Sequence, residues 1–336
     1  MFIISILSAA LTAFADMVTP QIIRAAIDNA IGGNPPDFPE SVMRIVNFFG
    51  GFGYLGENLW IMALAIIVVA VVKVGFQYIF RVSNTAASET LVKNMRDSLF
   101  KHIEHLPFSW HMKNRTGDII QRCTSDIDTI KNFVSEQLSS IFRIIILLVL
   151  SVTFMTSMNL PLTLIALIPT PVIIAYSFIF HRKIGKGFEK CDENEGKLSA
   201  IAQENLTGVR VVRAFGREKY ERDRFEEHNE FYTGLWVSLS KLMSRFWSVS
   251  DILAGIQIML VLVFGAVFCV EGSMSSGEYV AFISYNSLLV WPIRQLGRMI
   301  SEMSKAGVSI DRVRYIMESE PEHDRPGATE PDMSGD

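Results

Sequence analysis

The sequence predicts an all-α membrane protein in which six long transmembrane helices extend into the cytosol as two helical hairpins, each closed by a short helix at its tip. Three observations predict it. Hydrophobic residues make up 49% of the 336, with 23 Phe and a positive mean hydropathy, more than an ordinary soluble domain carries. Apolar runs of nearly spanning length recur along the chain. The charged stretches between them keep helical spacing.

A spanning helix needs ~20 mainly apolar residues at 1.5 Å rise to cross a ~30 Å hydrocarbon core. Runs at 1–15, 59–80, 141–158, 160–180 and 252–270, with a weaker one at 279–293, approach that length. They predict spans at about 1–30, 58–106, 117–158, 160–206, 217–270 and 277–317. The first run lacks the basic start and small-residue cleavage site of a signal peptide, so it is expected to be a retained helix whose cytosolic start lies outside this sequence. Segments 81–143 and 181–245 are dense in Lys and Arg, whereas 31–58 holds only Arg44 and 271–278 holds no basic residue. Positive-inside counting then places both basic segments and both termini in the cytosol of a multi-pass cell-membrane protein. Cys123, Cys191 and Cys269 imply no disulfide framework.

From 82 to 106 and from 181 to 206 helix formers dominate and prolines are absent, so each spanning helix is expected to continue into water. A fourth helix from about 161 to 206 is ~69 Å long, leaving ~40 Å beyond the core. The return stretch REKYERDRFEEHNEFYTGLWVSLSKL interleaves acids and bases at helical spacing. At the first tip, LPFSWHMKNRTGD, Pro107 interrupts the descending helix and Thr116-Gly117-Asp118 supplies a capping residue and an acid for the next one. Arg122 and Asp126, four apart, are expected to form a surface ion pair. At the second tip, Gly208 and Gly216 bracket a short helix with Val209, Val212 and Phe215 on one face and Arg210 and Arg213 on another. Such a helix either presents its surface to a partner or seals the hairpin's own end.

HLPFSWHMKNRTGDIIQRCTSDIDTIKNFV resembles the first intracellular loop of ATP-binding-cassette (ABC) exporters, and ENLTGVRVVRAFGREKYE resembles the second. SSGEYVAFISYNSLLVWPIRQLG followed by KAGVSIDRVRYIME is similar to their sixth helix and its exit, so the likeness spans nearly the whole chain in order. The resemblance implies a type IV exporter's transmembrane domain, the ABC transporter type 1 fold, occupying 1–318. It further implies a homo- or heterodimer of such domains in membrane lipid, nucleotide-binding domains as partners with ATP and Mg on them, and a small amphipathic substrate; nucleic acid is no expected partner. The tips become coupling helices: Phe108, Ser109, Trp110 and His111 in the first, Val209, Arg210, Val212, Arg213 and Phe215 in the second. Where the family usually follows its aromatics with an acid, this chain has His111 and Met112.

No GxxxxGK[ST] loop and no LSGGQ-type signature occurs, so no ATP hydrolysis is expected from this chain itself, and no residue is assigned a catalytic or metal role. The tail 319–336, rich in acids, Pro and Gly, reads as a linker toward a nucleotide-binding domain that was cut from the sequence or is a separate chain. Polar groups at membrane depth mark the cavity. Asp16 and Lys73 both fall ~21–23 Å from the outer helix ends and are expected to pair, as a structural tie or a substrate contact. In the sixth helix Trp291, Arg294, Gln295 and Arg298 are candidate cavity residues, with Gln257 from the fifth; Arg294 and Arg298 alternatively snorkel to the inner interface. Pro292 is expected to loosen the sixth helix. The function predicted is ATP-driven export by alternating access, of multidrug or other amphipathic substrates. An ion-coupled secondary transporter and a non-transporting scaffold are the alternatives.

Overall fold

The computed structural model describes residues 1–35 and 38–322, so the expected linker falls outside the described residues from 323 onward. Among the described residues all regular structure is helical. In chain order the helices are α1 (Phe2–Ala25), α2 (Glu40–Phe48), α3 (Gly51–Glu57), α4 (Leu59–Glu104), α5 (Phe108–Lys113), α6 (Thr116–Gln121) and α7 (Ile127–Asn132). There follow α8 (Ser139–Met158), α9 (Leu160–Leu167), α10 (Pro169–Thr207), α11 (Val209–Ala214), α12 (Glu218–Val270) and α13 (Ser276–Met317). Wide π turns extend α1 through Ala26–Ile31 and join α6 to α7 and α7 to α8 at Arg122–Asp126 and Phe133–Leu138.

Five of the described helical stretches are long and apolar enough to cross a membrane: Phe2–Ile31, Leu59–Glu104, Thr116–Met158, Leu160–Thr207 and Glu218–Val270. Helix is what such sequences must form, because lipid offers a bare amide no partner. That is one fewer than the six spans expected. The sixth, α13, has the length at 42 residues but not the apolarity, since Ser284, Asn286, Ser287, Arg294 and Gln295 dilute its apolar run. Pro292 lies inside α13 without ending it.

The chain divides into two compact units. The first contains Met1–Ala9, Gly75–Arg143 and the chain from Glu302 on. Its core is a stripe of Val92 and Leu99 on α4, Leu106 beyond it, Ile127 and Ile130 on α7, and Val313 and Ile316 on α13. Around that stripe Asn84 Nδ2 donates to the Ser135 carbonyl at 2.5 Å, Ser139 Oγ donates to Asn84 Oδ1 at 2.9 Å, and Arg96 pairs with Asp128 at 2.8 Å. Lys131 pairs with Glu89.

The second unit comprises Ala10–Val74 and Ile144–Ser301. Met17, Met155, Leu162, Phe282, Tyr285, Leu289 and Ile293 form its core. The Tyr285 hydroxyl donates to the Met17 carbonyl at 2.8 Å and accepts from Gln21 Nε2 at 3.0 Å. A reciprocal capping box starts α13: the Glu278 N–H donates to Ser275 Oγ and the Ser275 N–H to Glu278 Oε2, each at 3.0 Å. Buried Asp28 accepts from Ser275 Oγ at 2.5 Å and from the Gly277 N–H at 2.8 Å, which sets a carboxylate at the positive end of the helix. A Cβ on Gly277 would lie 2.6 Å from the Asp28 carboxyl carbon, so that approach requires glycine.

One local expectation needs correction, that of Thr116, and two segments gain detail. The fourth span, Leu160–Thr207, stays helical in direction through Ile168 (φ −55°, ψ −46°), but its hydrogen bonding lapses there between α9 and α10, because Pro169 and Pro171 withhold the N–H groups that Ile165 and Leu167 need four residues on. Thr116 is no cap; it lies in the first turn of α6 behind Arg115, whose carbonyl receives the Asp118 and Ile119 N–H groups. The stretch 31–58, between the first two spans, holds α2 and α3. Ala25, Leu55 and Met62 seat these helices in a small apolar cluster, and a Cβ on Gly56 would come within 2.3 Å of the Ala30 carbonyl oxygen.

Candidate functional site

In the first unit the tip helix α5 is half anchored and half free. Pro107, extended at φ −64° and ψ 150°, turns the chain into it. Trp110 points back into the unit, where its Nε1–H donates to Ser319 Oγ at 3.0 Å and its ring meets the edge of His111 at 5.3 Å. His102 Nε2 contacts the Ser319 carbonyl at 3.0 Å, and the Glu322 N–H donates to the His105 carbonyl at 2.6 Å. Phe108 and Met112 remain exposed, as does Ser109. Arg122 and Asp126 do not pair with each other. The π turn they bracket inserts an extra residue per turn, so side chains four apart no longer stack. Asp126 is buried and accepts instead from Ser309 Oγ at 2.9 Å and forms an ion pair with Arg312 at 3.6 Å, while the Arg122 guanidinium lies 5.0 Å over the Tyr315 ring.

The second hairpin, α10–α11–α12, lies wholly in the second unit. Its arms pack closely enough that a Cβ on Gly187 would lie 2.8 Å from Leu239 Cδ1. Near the tip they are tied by polar contacts: Arg224 reaches Glu204 at 3.1 Å and Glu221 at 3.5 Å, Asn205 donates to Glu221 at 3.1 Å, and the Tyr232 hydroxyl donates to Glu195 at 3.0 Å. The tip ends in a Schellman motif, with the Arg217 N–H on the Val212 carbonyl at 3.0 Å, the Gly216 N–H on the Arg213 carbonyl at 3.3 Å, and Gly216 at φ +60°. Only Val212 of the five predicted tip residues is half-buried. Val209, Arg210, Arg213 and Phe215 are exposed, Phe215 at 77%, alongside Leu206 and Val211. A braced double helix thus ends in an apolar knob flanked by two guanidinium groups.

Among the membrane-depth residues, Lys73 Nζ lies 2.5 Å from Asp16 Oδ1, the carboxylate 10% exposed and the ammonium 36%. The five candidate cavity residues do not form one patch. Trp291 and Arg298 are exposed and Gln295 half-buried on one stripe of α13, with Trp291 stacked on Trp247 at 5.9 Å. Arg294 is turned inward; it pairs with Asp251 at 2.5 Å, and its carbonyl accepts from Ser177 Oγ at 2.7 Å. Gln257 is buried, donating to the Ala166 carbonyl at 3.2 Å and to Asn286 Oδ1 at 3.0 Å. Sequence reading missed Asp251, Asn286 and the Arg24–Glu278 pair at 2.7 Å; each sits far along the chain from its partner, and no local pattern marks it. Among the described residues no cluster of His, Cys, Asp and Glu is arranged to hold a metal ion.

Comparison with known proteins places this architecture. The chain is 30% identical over 243 residues to the uncharacterized ABC transporter ATP-binding protein YwjA of Bacillus subtilis, covering 72% of this chain and 42% of that protein. It is 28% identical to an ATP-dependent lipid A-core flippase of Syntrophus aciditrophicus, covering 79% of this chain and 44% of the flippase. It is 24% identical to the multidrug resistance-like ATP-binding protein MdlA of Escherichia coli, covering 78% and 44%. The chain therefore spans less than half the length of these relatives. The family described as the ABC transporter transmembrane region matches residues 2–293, and the chain belongs to it.

Proposed function

We propose that this chain is the transmembrane half of an ATP-driven exporter of the cell membrane, with both termini cytosolic, and that it works by alternating access as one of a pair of such domains. The observation that supports this best is the second hairpin: a doubly bonded stem with Leu206, Val211 and Phe215 exposed at its end between Arg210 and Arg213. Exposed aromatic and apolar side chains beside cations at the end of a stiff lever suit a partner that pulls on it. The partner is a nucleotide-binding domain that holds ATP and Mg. Phe108, Ser109 and Met112 make the matching contact at the first tip, where Trp110 and His111 position the helix. ATP shifts the transporter only if its binding differs between two states, so the tips must change position when the motor domains close.

The substrate is amphipathic, in keeping with the multidrug and lipid A names of two relatives. Trp291, Gln295 and Arg298 wall the cavity, while Arg294 and Gln257 hold in place the helices that carry it. The test is the chain in lipid vesicles with a nucleotide-binding partner. ATPase stimulated by an amphipathic compound, and lost in Phe215→Asp, supports the pump; uptake driven by an ion gradient without ATP supports a secondary carrier and refutes it.

A further inference from the structure

We propose that the second unit carries a slot for a single hydrocarbon chain of a membrane lipid, roofed by α2 and α3 and walled by α1, α4 and α8. This inference rests on the chain lying in a membrane and not on its exporting anything. The slot is a cavity of about 840 Å³, within the ~300–1,000 Å³ that bound small molecules occupy. Phe14, Met17, Val46, Phe49, Val68 and Phe154 represent its walls.

Three polar side chains line it, and each is already engaged. Gln21 donates to Tyr285, Ser157 Oγ donates to the Phe154 carbonyl at 2.8 Å, and Arg24 is paired with Glu278 and packed 5.8 Å from the Phe38 ring centre. No charge is left over for a polar ligand, and so apolar a space has little to offer water. A hydrocarbon chain is the occupant a bilayer supplies.

The dimensions match. From Phe14 to Arg24 α1 rises ~15 Å, half of a ~30 Å hydrocarbon core and so the depth of one leaflet. The engaged polar groups Gln21 and Arg24 sit at the α2–α3 end and the wholly apolar residues at the other. The roof has the character of an interfacial helix: α2 turns Val42, Ile45 and Val46 into the slot and carries Glu40, Arg44 and Asn47 on its other positions. Leu64 and Val68 line the slot and are at the same time exposed, which leaves its flank open for a chain to enter sideways.

The experiment reconstitutes the full chain in phosphatidylcholine vesicles that contain a phosphatidylcholine with a diazirine midway along one acyl chain, followed by irradiation and peptide mapping. Labelling at Ile45, Phe49 and Val68 is expected to exceed labelling at Ile252 and Leu262 of α12, which are exposed and outside the slot. Ala65→Phe on α4 and Val46→Trp on α2 fill the slot from its wall and its roof; each displaces at least two methylenes and lowers labelling there by about tenfold. Val72→Phe, off the slot, leaves it unchanged. Slot labelling no higher than on α12, labelling that both fillers leave intact, or cross-links there between two copies of the chain overturn the proposal. Should a filler variant lose its helicity, the ratio of slot to α12 labelling in the unsubstituted chain still decides. Loss of transport in any variant has no bearing on the outcome, because the readout needs neither ATP nor a partner.

Discussion

Replacing Asp16 by Asn, Lys73 by Met, and both together tests whether the contact between α1 and α4 is a working ion pair. The two charged atoms are 2.5 Å apart and the carboxylate is 10% exposed, so it has little else to turn to. Asp16→Asn strands an ammonium at membrane depth, where a lone charge on a helix costs ~2.5–3.5 kcal/mol. Lys73 is 36% exposed on a long flexible stem, so snorkelling relieves part of that, and we expect a net loss of about 2 kcal/mol. Lys73→Met strands the more enclosed Asp16 and is expected to cost about 3 kcal/mol, as removal of one partner from a buried pair does. In the double variant neither charge remains. Its loss should fall short of the summed single losses by ~1–3 kcal/mol, the coupling energy of groups in contact. The assay is reversible unfolding in bicelles, followed by helicity, for the four proteins. Losses that add to within about 0.5 kcal/mol would falsify the pair, since groups without mutual interaction behave that way.

Other substitutions probe the remaining claims. Phe215→Asp should leave thermal unfolding within about 0.5 kcal/mol of the parent, because the side chain is exposed, yet abolish stimulation of ATPase in the assembled transporter; a loss of stability as large as the loss of coupling contradicts the docking role. Gly297→Ala forces a Cβ to within 2.7 Å of the Ser177 carbonyl oxygen and should destabilise by ~1–3 kcal/mol, read as a lowered Tm, whereas Gly255→Ala, with open space around it, should be neutral. Gln257→Leu removes the donor to both Ala166 and Asn286 and should cost about 0.6–1.7 kcal/mol, the range for hydrogen bonds between membrane helices; an effect near zero means the contact is idle. Trp110→Phe keeps the ring but loses the bond to Ser319, an expected loss of about 1 kcal/mol seen as faster proteolysis of the tail beyond Met317.

The rods were legible and their partners were not, for a physical reason. Helicity and lipid affinity are written in neighbours three and four apart, so 59–104 and 218–270 announce themselves, and the observed ends lie within two residues of the expected ones. The tip at Gly208–Gly216 was readable because a positive φ and a Schellman closure are local needs met by a local glycine. The break at Ile168 was also written locally, in Pro169 and Pro171, but the apolar run across them masked the missing N–H groups. By contrast α3 and the residue that caps it hold four glycines in eight residues from Gly50 to Glu57, a composition that argues against helix. They form because Leu55 and Gly56 find Ala25, Met62 and the Ala30 carbonyl, which only tertiary structure brings near.

The candidate cavity residues show the same limit more sharply. Spacing of three and four placed Trp291, Arg294, Gln295 and Arg298 together on α13, and that much is geometry any helix obeys. Which of them looks inward depends on what packs against the helix. Asp251 on α12 and Ser177 on α10 take hold of Arg294, and the rotation they impose turns Trp291 and Arg298 to the exposed side. An arginine bonded to a carboxylate loses the freedom to bind substrate, since releasing Asp251 would leave one more ionised group to solvate at the same depth. Arg298 has no such partner among the described residues, so of the two cations it is the one with charge to offer an amphipathic anion. Arg294→Gln should therefore act through stability and leave the substrate profile alone. Arg298→Gln should do the reverse, weakening anionic substrates selectively at unchanged Tm, and equal effects of both substitutions on stability and on substrate preference would refute this division of roles.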